Sequence, residues 1–122
     1  MGKNVIKNSA WTIVQAVVFL LVTSGCLKDP MKEKNFTPAQ VKLYKSGKAI
    51  YNTDCIACHN ANPRLPGAIG PDNYGSSLEL VRLKVLKGEY PSGYKPKRTT
   101  KEMPEFESYG NDIEAIHFYL NN

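Results

Sequence analysis

The sequence lacks three features that define large classes of proteins. Its longest apolar stretch, from Ala10 to Val22, is interrupted by Thr12 and Gln15 and is too short to span a bilayer comfortably as a helix. No nucleophile is paired with a base, and no two carboxylates are set for acid–base chemistry, so catalysis by this chain alone is not expected. No dense basic stripe with interleaved aromatic residues is present, so nucleic acid is not an expected partner.

Acidic residues are absent from the first 25 positions. All 11 follow position 25, together with 14 of the 16 Lys and Arg residues, so this part of the chain carries a net charge of +3. A mildly basic domain suits a redox partner with an acidic docking surface. Its length is near the lower limit for a self-sufficient core, so a bound apolar group would help it to fold.

Cysteine is scarce, and two of the three cysteines lie in the pentapeptide Cys55-Ile56-Ala57-Cys58-His59. Two thiols at this spacing can each add across one vinyl group of a haem, and the adjacent imidazole can then ligate the iron. Haem attachment is the interpretation that we favour. Two alternatives remain: a zinc site, for which His117 would be the only plausible fourth ligand, and a redox CxxC, which the absence of a βαβ pattern disfavours.

The N-terminus has the features of an export signal. Lys3 and Lys7 form a positively charged region, the apolar stretch follows, and small residues directly precede Cys26. Residues 1–25 resemble a bacterial lipoprotein signal peptide, although Thr23 stands where Leu is usual. The resemblance implies cleavage before Cys26 and a diacylglycerol on its thiol. The alternatives are an ordinary cleaved signal and an uncleaved anchor, and all three export the domain.

Residues 26–36 are short, charged and contain Pro30, which is typical of a flexible tether. With a lipid on Cys26, the domain would lie on the periplasmic side of a bacterial membrane.

Three helices are expected after the tether. Thr37-Pro38-Ala39-Gln40 predicts a capping box at the start of the first, which delivers Cys55 at its end. A glycine on its apolar face, Gly47, indicates a close helix crossing. A capping box from Ser76 to Glu79 begins the second helix, which ends at Gly88. Capping at Asn111-Asp112 begins the third, whose apolar face should cross the first at Gly47.

Met103-Pro104 stands in polar surroundings between the second and third helices. Proline restricts the preceding residue to extended backbone, so Met103 can be presented rigidly to a metal, and its thioether suits haem iron. The alternative is an ordinary core methionine. As an axial ligand, its main rival is His117 on the last helix.

This order of parts resembles a class I c-type cytochrome. The resemblance implies an all-α fold, a small cytochrome c domain over residues 37–122 with long loops around one covalent haem c. By resemblance, Cys55 and Cys58 attach the haem, and His59 and Met103 ligate its iron. The supporting residues would be Gly70-Pro71, whose proline carbonyl accepts a hydrogen bond from the proximal histidine, and Gly47 with Tyr119 at the helix crossing.

The resemblance implies an electron carrier with no open iron position. Alternatives are a haem c subunit of a periplasmic oxidoreductase, a haem sensor with a displaceable Met103, and a colourless zinc-binding adaptor. The basic residues at 95–101 would either steer an acidic partner or form a solvated loop.

Overall fold

The computed structural model describes residues 34–122, so the predicted signal peptide, Cys26 and most of the tether lie outside the described residues. The described part is all-α, as predicted: three helices with long loops between them, and no strand in this range. Within the same range, no helix is both long and apolar enough to cross a membrane. The helices are α1 (Pro38–Ile50), α2 (Leu78–Lys87) and α3 (Ile113–Leu120), with a π-helical turn at Tyr51–Cys55 and a 3₁₀ turn at Glu107–Tyr109.

The start of α1 confirms the predicted capping box. The Thr37 hydroxyl accepts a hydrogen bond from the Gln40 amide at 3.3 Å, and the Gln40 side chain accepts one from the Thr37 amide at 2.9 Å. Pro38 fills the first helical position, where its missing N–H leaves nothing unsatisfied. Phe36, at the end of the predicted tether, packs its ring against Tyr44 and Phe118 and so is part of the domain.

Gly47 marks the point where α1 meets α3, which confirms the predicted crossing. A Cβ atom at Gly47 would collide with the Ala115 carbonyl oxygen and lie 2.9 Å from Tyr119 Cβ. Around this point the Tyr119 ring packs against those of Tyr44 and Tyr51, each with centroids 5.3 Å apart. The crossing therefore holds α1 in place against α3, and α1 leads directly into the CxxCH motif.

Two predicted caps were wrong in detail. α2 is capped by Ser77, whose hydroxyl accepts from the Leu80 amide at 3.2 Å, whereas the Ser76 hydroxyl donates to the Asn73 carbonyl at 2.7 Å. At α3 the cap position is Asp112, but its side chain makes no capping hydrogen bond. Its backbone is already helical (φ −106°, ψ −1°), whereas a capping side chain needs an extended backbone to reach the next turn.

The end of α2 was predicted correctly. Gly88 closes the helix in the left-handed conformation, with φ 65°, where a side chain would be strained. Of the apolar residues of α2, Val81 and Val85 are buried, while Leu78 is exposed. The buried face of α2 packs with α3 and forms one wall of a cavity that also contacts the CxxCH motif.

Candidate functional site

A cavity of about 230 Å³ lies between the helices and the loops. A void needs only ~10–15 Å³ to hold one water molecule, so this cavity is far larger than a packing defect in a protein interior. Its size and apolar walls fit a bulky apolar group such as haem. The residues that line the cavity include Cys55, Cys58, His59, Gly70, Pro71, Val81, Val85, Lys97, Arg98, Met103, Phe106 and Ile116.

The π-helical turn positions the haem motif. Tyr51 is almost completely buried, and its hydroxyl donates to the Asn60 carbonyl at 2.8 Å, just beyond the motif. The turn widens the helix so that the Ile56 amide bonds the Tyr51 carbonyl at 3.3 Å. Such wide turns re-aim side chains relative to a regular α-helix. This one brings Cys55 to the cavity wall.

Cys55 and Cys58 are free thiols on the same cavity wall. The backbone between them is a tight turn, in which the Cys55 carbonyl accepts from the amides of Cys58 (3.2 Å) and His59 (2.9 Å). Burial, and then the neighbouring Asp54 and Cys58, raise the pKa of Cys55 to about 11. A redox CxxC needs a lowered thiol pKa, so this environment does not suit thiol–disulfide exchange.

His59 is oriented by the loop that follows it. Its Nδ1 lies 2.9 Å from the Pro71 carbonyl oxygen, which can only accept, so Nδ1 carries the proton. Nε2 is then the nitrogen with a free lone pair, which is the arrangement of a metal-ligating histidine. Gly70 lies against the face of the ring so closely that a Cβ there would come within 2.7 Å of Nε2.

The same loop folds back on the backbone of the motif. The Cys58 carbonyl accepts from the amides of Ile69 at 3.2 Å and Gly70 at 2.9 Å, and the Gly67 amide donates to the Gly70 carbonyl at 2.9 Å. These bonds fix the distance between the loop and His59. Gly70 and Pro71 are therefore positioned by backbone pairing as well as by the histidine ring.

Met103 also lines the cavity and packs against the buried core. The chain after it is held to α2, because the Phe106 amide donates to the Val85 carbonyl at 2.7 Å. His117 is not among the residues that line the cavity. Of the two sulfur or nitrogen donors considered for the sixth position, only Met103 is therefore brought to the cavity that contains His59.

The zinc alternative lacks a converging ligand set. Within residues 34–122, no group of three or more His, Cys, Asp and Glu side chains is arranged to hold a metal ion. The motif residues and His117 are thus not assembled as the four ligands that zinc prefers.

Sequence reasoning missed two contacts near the motif. The Tyr109 hydroxyl donates to the Asp54 carboxylate, which directly precedes Cys55. Lys97 and Arg98, predicted to be either docking or solvated residues, instead bond to residues 67–72. Both contacts join positions far apart in the chain, and no local pattern indicates them.

We expect Tyr109→Phe to lower stability and to change its dependence on alkaline pH. The hydrogen bond to Asp54 raises the pKa of Tyr109. A raised folded-state pKa contributes stability that is fully present below about pH 10, the usual tyrosine pKa, and is lost as pH rises through the folded value. Urea unfolding near neutral pH and above about pH 10 should show a smaller alkaline loss in the variant.

Tyr74→Phe is the matched control, since the Tyr74 ring is exposed and its hydroxyl makes no hydrogen bond within the described residues. Equal alkaline losses in wild type and Tyr109→Phe would show that the Asp54 contact does not contribute to folding.

Comparison with known proteins supports an assignment at the level of class only. Over 78 residues the chain is 28% identical to the cytochrome bc1 complex cytochrome c subunit of Mycobacterium leprae (strain TN). The alignment covers 64% of this chain but only 26% of that relative. No protein-family model and no solved structure matches the chain. At the level of class, the similarity supports a c-type cytochrome, as does the all-α fold with its CxxCH cavity.

Proposed function

We propose that this chain is a monohaem c-type cytochrome that carries electrons and performs no substrate chemistry of its own. The observation that carries the proposal is the convergence of Cys55, Cys58, His59 and Met103 on one cavity. The hydrogen bond from His59 Nδ1 to Pro71 supports the assignment, because it leaves Nε2 for a metal.

Four side chains would hold the haem. Cys55 and Cys58 would form the thioethers, while His59 Nε2 and the Met103 sulfur would occupy the two axial positions. The haem would supply a one-electron change at its iron, and methionine as a ligand favours the ferrous state and raises the potential. Because His59 and Met103 would both ligate the iron, no site on it would be left for oxygen or peroxide. The apolar residues of α2 and α3 that line the cavity would keep water away from the haem, and this would reduce the reorganisation that electron transfer requires.

The proposed location is the exported side of a bacterial membrane, with a lipid on Cys26. The N-terminal sequence supports this location because it has the features of an export signal. The CxxCH motif agrees with export of the domain. The partners would be redox proteins with acidic docking surfaces, because the exported part carries a net positive charge.

A second candidate is a haem c subunit of an oxidoreductase complex. It is favoured by the name of the Mycobacterium leprae relative, which is a subunit of a bc1 complex. Purification from the native membrane distinguishes the two candidates: a stable stoichiometric complex supports the subunit, and free release of the single chain supports the carrier.

Replacing Met103 with alanine should remove the sulfur-to-iron absorption band and leave the haem covalently attached. The full chain would be exported in a host with a c-type maturation system, and absorption spectra of wild type and variant compared. The iron of the variant should also bind CO rapidly when reduced, because one axial position is then open.

Met31→Ala is the matched control and should leave the band unchanged. Failure of the wild-type chain to acquire a covalent haem would overturn the proposed function. A band that survives in Met103→Ala would move the sixth ligand to another residue, and rapid CO binding by the wild type would favour a sensor.

A further inference from the structure

Two loops on the cavity rim are joined by the adjacent side chains of Lys97 and Arg98. The partner loop spans residues 67–72, which lie 25 to 31 positions earlier in the chain. We call Lys97, Arg98 and their partners in residues 67–72 the rim latch. No other side chain of residues 89–102 hydrogen-bonds to that loop within the described part of the chain.

Arg98 makes the larger share of the rim latch. Its guanidinium donates to three successive carbonyl oxygens, those of Ala68 (3.2 Å), Ile69 (2.7 Å) and Gly67 (3.1 Å). A planar guanidinium with five fixed N–H donors can span such a row, whereas a lysine ammonium is a single point charge. The Arg98 side chain is half-buried, and its bond to Gly67 is partly buried, whereas the bonds to Ala68 and Ile69 are exposed.

Lys97 adds an ion pair. Its Nζ lies 2.6 Å from Asp72 Oδ2 and 3.1 Å from the Asp72 carbonyl oxygen. Both side chains are substantially exposed, at 43% and 38%, so solvent and salt screen this pair, and it contributes less than the Arg98 contacts. Lys97 and Arg98 are therefore engaged within the molecule, whereas the side chains of Lys95 and Lys101 make no hydrogen bond or ion pair within residues 34–122.

The rim latch joins the loop that orients His59 to the loop that leads to Met103. Residues 67–72 contain Gly70 against the His59 ring and Pro71, which accepts the His59 hydrogen bond. Lys97 and Arg98 lie in the loop that leads directly to Met103. Within that loop Tyr90 stacks on Tyr94, with ring centroids 5.4 Å apart, and Lys84 of α2 lies 4.3 Å from the centroid of the Tyr90 ring. Residues 95–102 between this stack and Met103 are tied to the rest of the domain by the rim latch.

We propose that the rim latch positions Met103, with Arg98 as the main positioning residue, by tying the methionine loop to the loop that orients His59. This inference rests on the proposed haem ligation by His59 and Met103. Opening of the latch would release the methionine loop as a unit, so the latch controls how readily an external ligand displaces Met103 from iron.

The test is the rate at which imidazole displaces Met103 in the ferric haem-loaded full chain, followed by loss of the sulfur-to-iron band. We expect Arg98→Met to raise that rate by roughly tenfold or more, because several hydrogen bonds from a charged group are lost. Arg98→Lys should also show fast displacement, since a lysine ammonium cannot donate to the three carbonyl oxygens as the planar guanidinium does. Lys101→Met removes one positive charge from the same segment but outside the rim latch. In this variant imidazole should displace Met103 at the wild-type rate.

A second pair of variants covers the case in which Arg98 variants fail to fold. Asp72→Lys and Lys97→Asp should each accelerate displacement, by less than Arg98→Met, and the double exchange of the two residues should restore the slow rate. Hydrogen–deuterium exchange gives a readout independent of the iron: amides of residues 89–102 should exchange faster in Arg98→Met or the single charge reversals.

The failures of the two proposals differ. A wild-type chain without a sulfur-to-iron band would show that the ligand assignment is wrong, and the latch would lose its proposed role with it. A normal band, with equal imidazole rates in wild type, the Arg98 variants and the charge reversals, would overturn the latch alone. A rate increase in Lys101→Met equal to that of Arg98→Met would also overturn it, because loss of charge would then explain both.

Discussion

Gly47→Ala is expected to destabilise the haem-loaded protein by about 2 kcal/mol, with a fall in melting temperature of roughly 10 °C. The added Cβ would collide with the Ala115 carbonyl oxygen and lie 2.9 Å from Tyr119 Cβ. Neither obstacle can rotate away, because one is backbone and the other is the first atom of a buried side chain. α1 and α3 would have to separate, which loosens the packing of Tyr44 and Tyr51 against Tyr119.

The sign of this effect opposes helix propensity. Alanine is favoured over glycine in a helix interior by about 1 kcal/mol, so propensity alone predicts a more stable variant. Ala49→Gly, at an exposed position of the same helix, measures the propensity term and should lose about that amount. Thermal and urea unfolding of the three proteins separate the two terms. A Gly47→Ala protein as stable as wild type would show that the helices are not in close contact at this position.

Local chemistry explains why several elements were predictable. A capping box needs only Thr37 and Gln40, which are three residues apart, and a left-handed helix end needs only Gly88. The glycine on the apolar face of α1 indicated a crossing, because a residue that weakens a helix is best explained by a close neighbour. In each case the relevant interaction joins residues within one helical turn, or it requires one particular residue type at one position.

The features that escaped prediction depend on distant partners or on a choice between equal neighbours. Ser76 and Ser77 are chemically identical caps, and the Asn73 carbonyl decides between them by accepting from Ser76. Nothing in the sequence of residues 51–55 identifies a π-helical turn, since the burial of Tyr51 and its hydrogen bond to the Asn60 carbonyl depend on residues outside the turn. Arg98 could not be distinguished from a solvated arginine until the three carbonyls that it binds were known.

Gly70→Ala should impair the proposed haem site strongly. The new Cβ would lie 2.7 Å from His59 Nε2 and closer still to other ring atoms. The ring cannot simply move aside, because its Nδ1 is bonded to Pro71, the residue next to the substitution. Either that hydrogen bond breaks or the loop leaves the Cys58 carbonyl, which accepts from the Gly70 amide at 2.9 Å.

The expected result for Gly70→Ala is a fall of roughly tenfold in the yield of haem-loaded protein with a normal sulfur-to-iron band, since overpacking of this kind typically costs about 1–3 kcal/mol. Gly110→Ala is the matched control. Its backbone is helical, and an added Cβ would meet its nearest neighbour, the Glu107 carbonyl oxygen, at an ordinary 3.7 Å. Normal yield and spectrum in Gly70→Ala, equal to those of Gly110→Ala, would mean that the ligated histidine does not lie against this loop. The proposal that Pro71 orients the haem-ligating His59 would then be wrong.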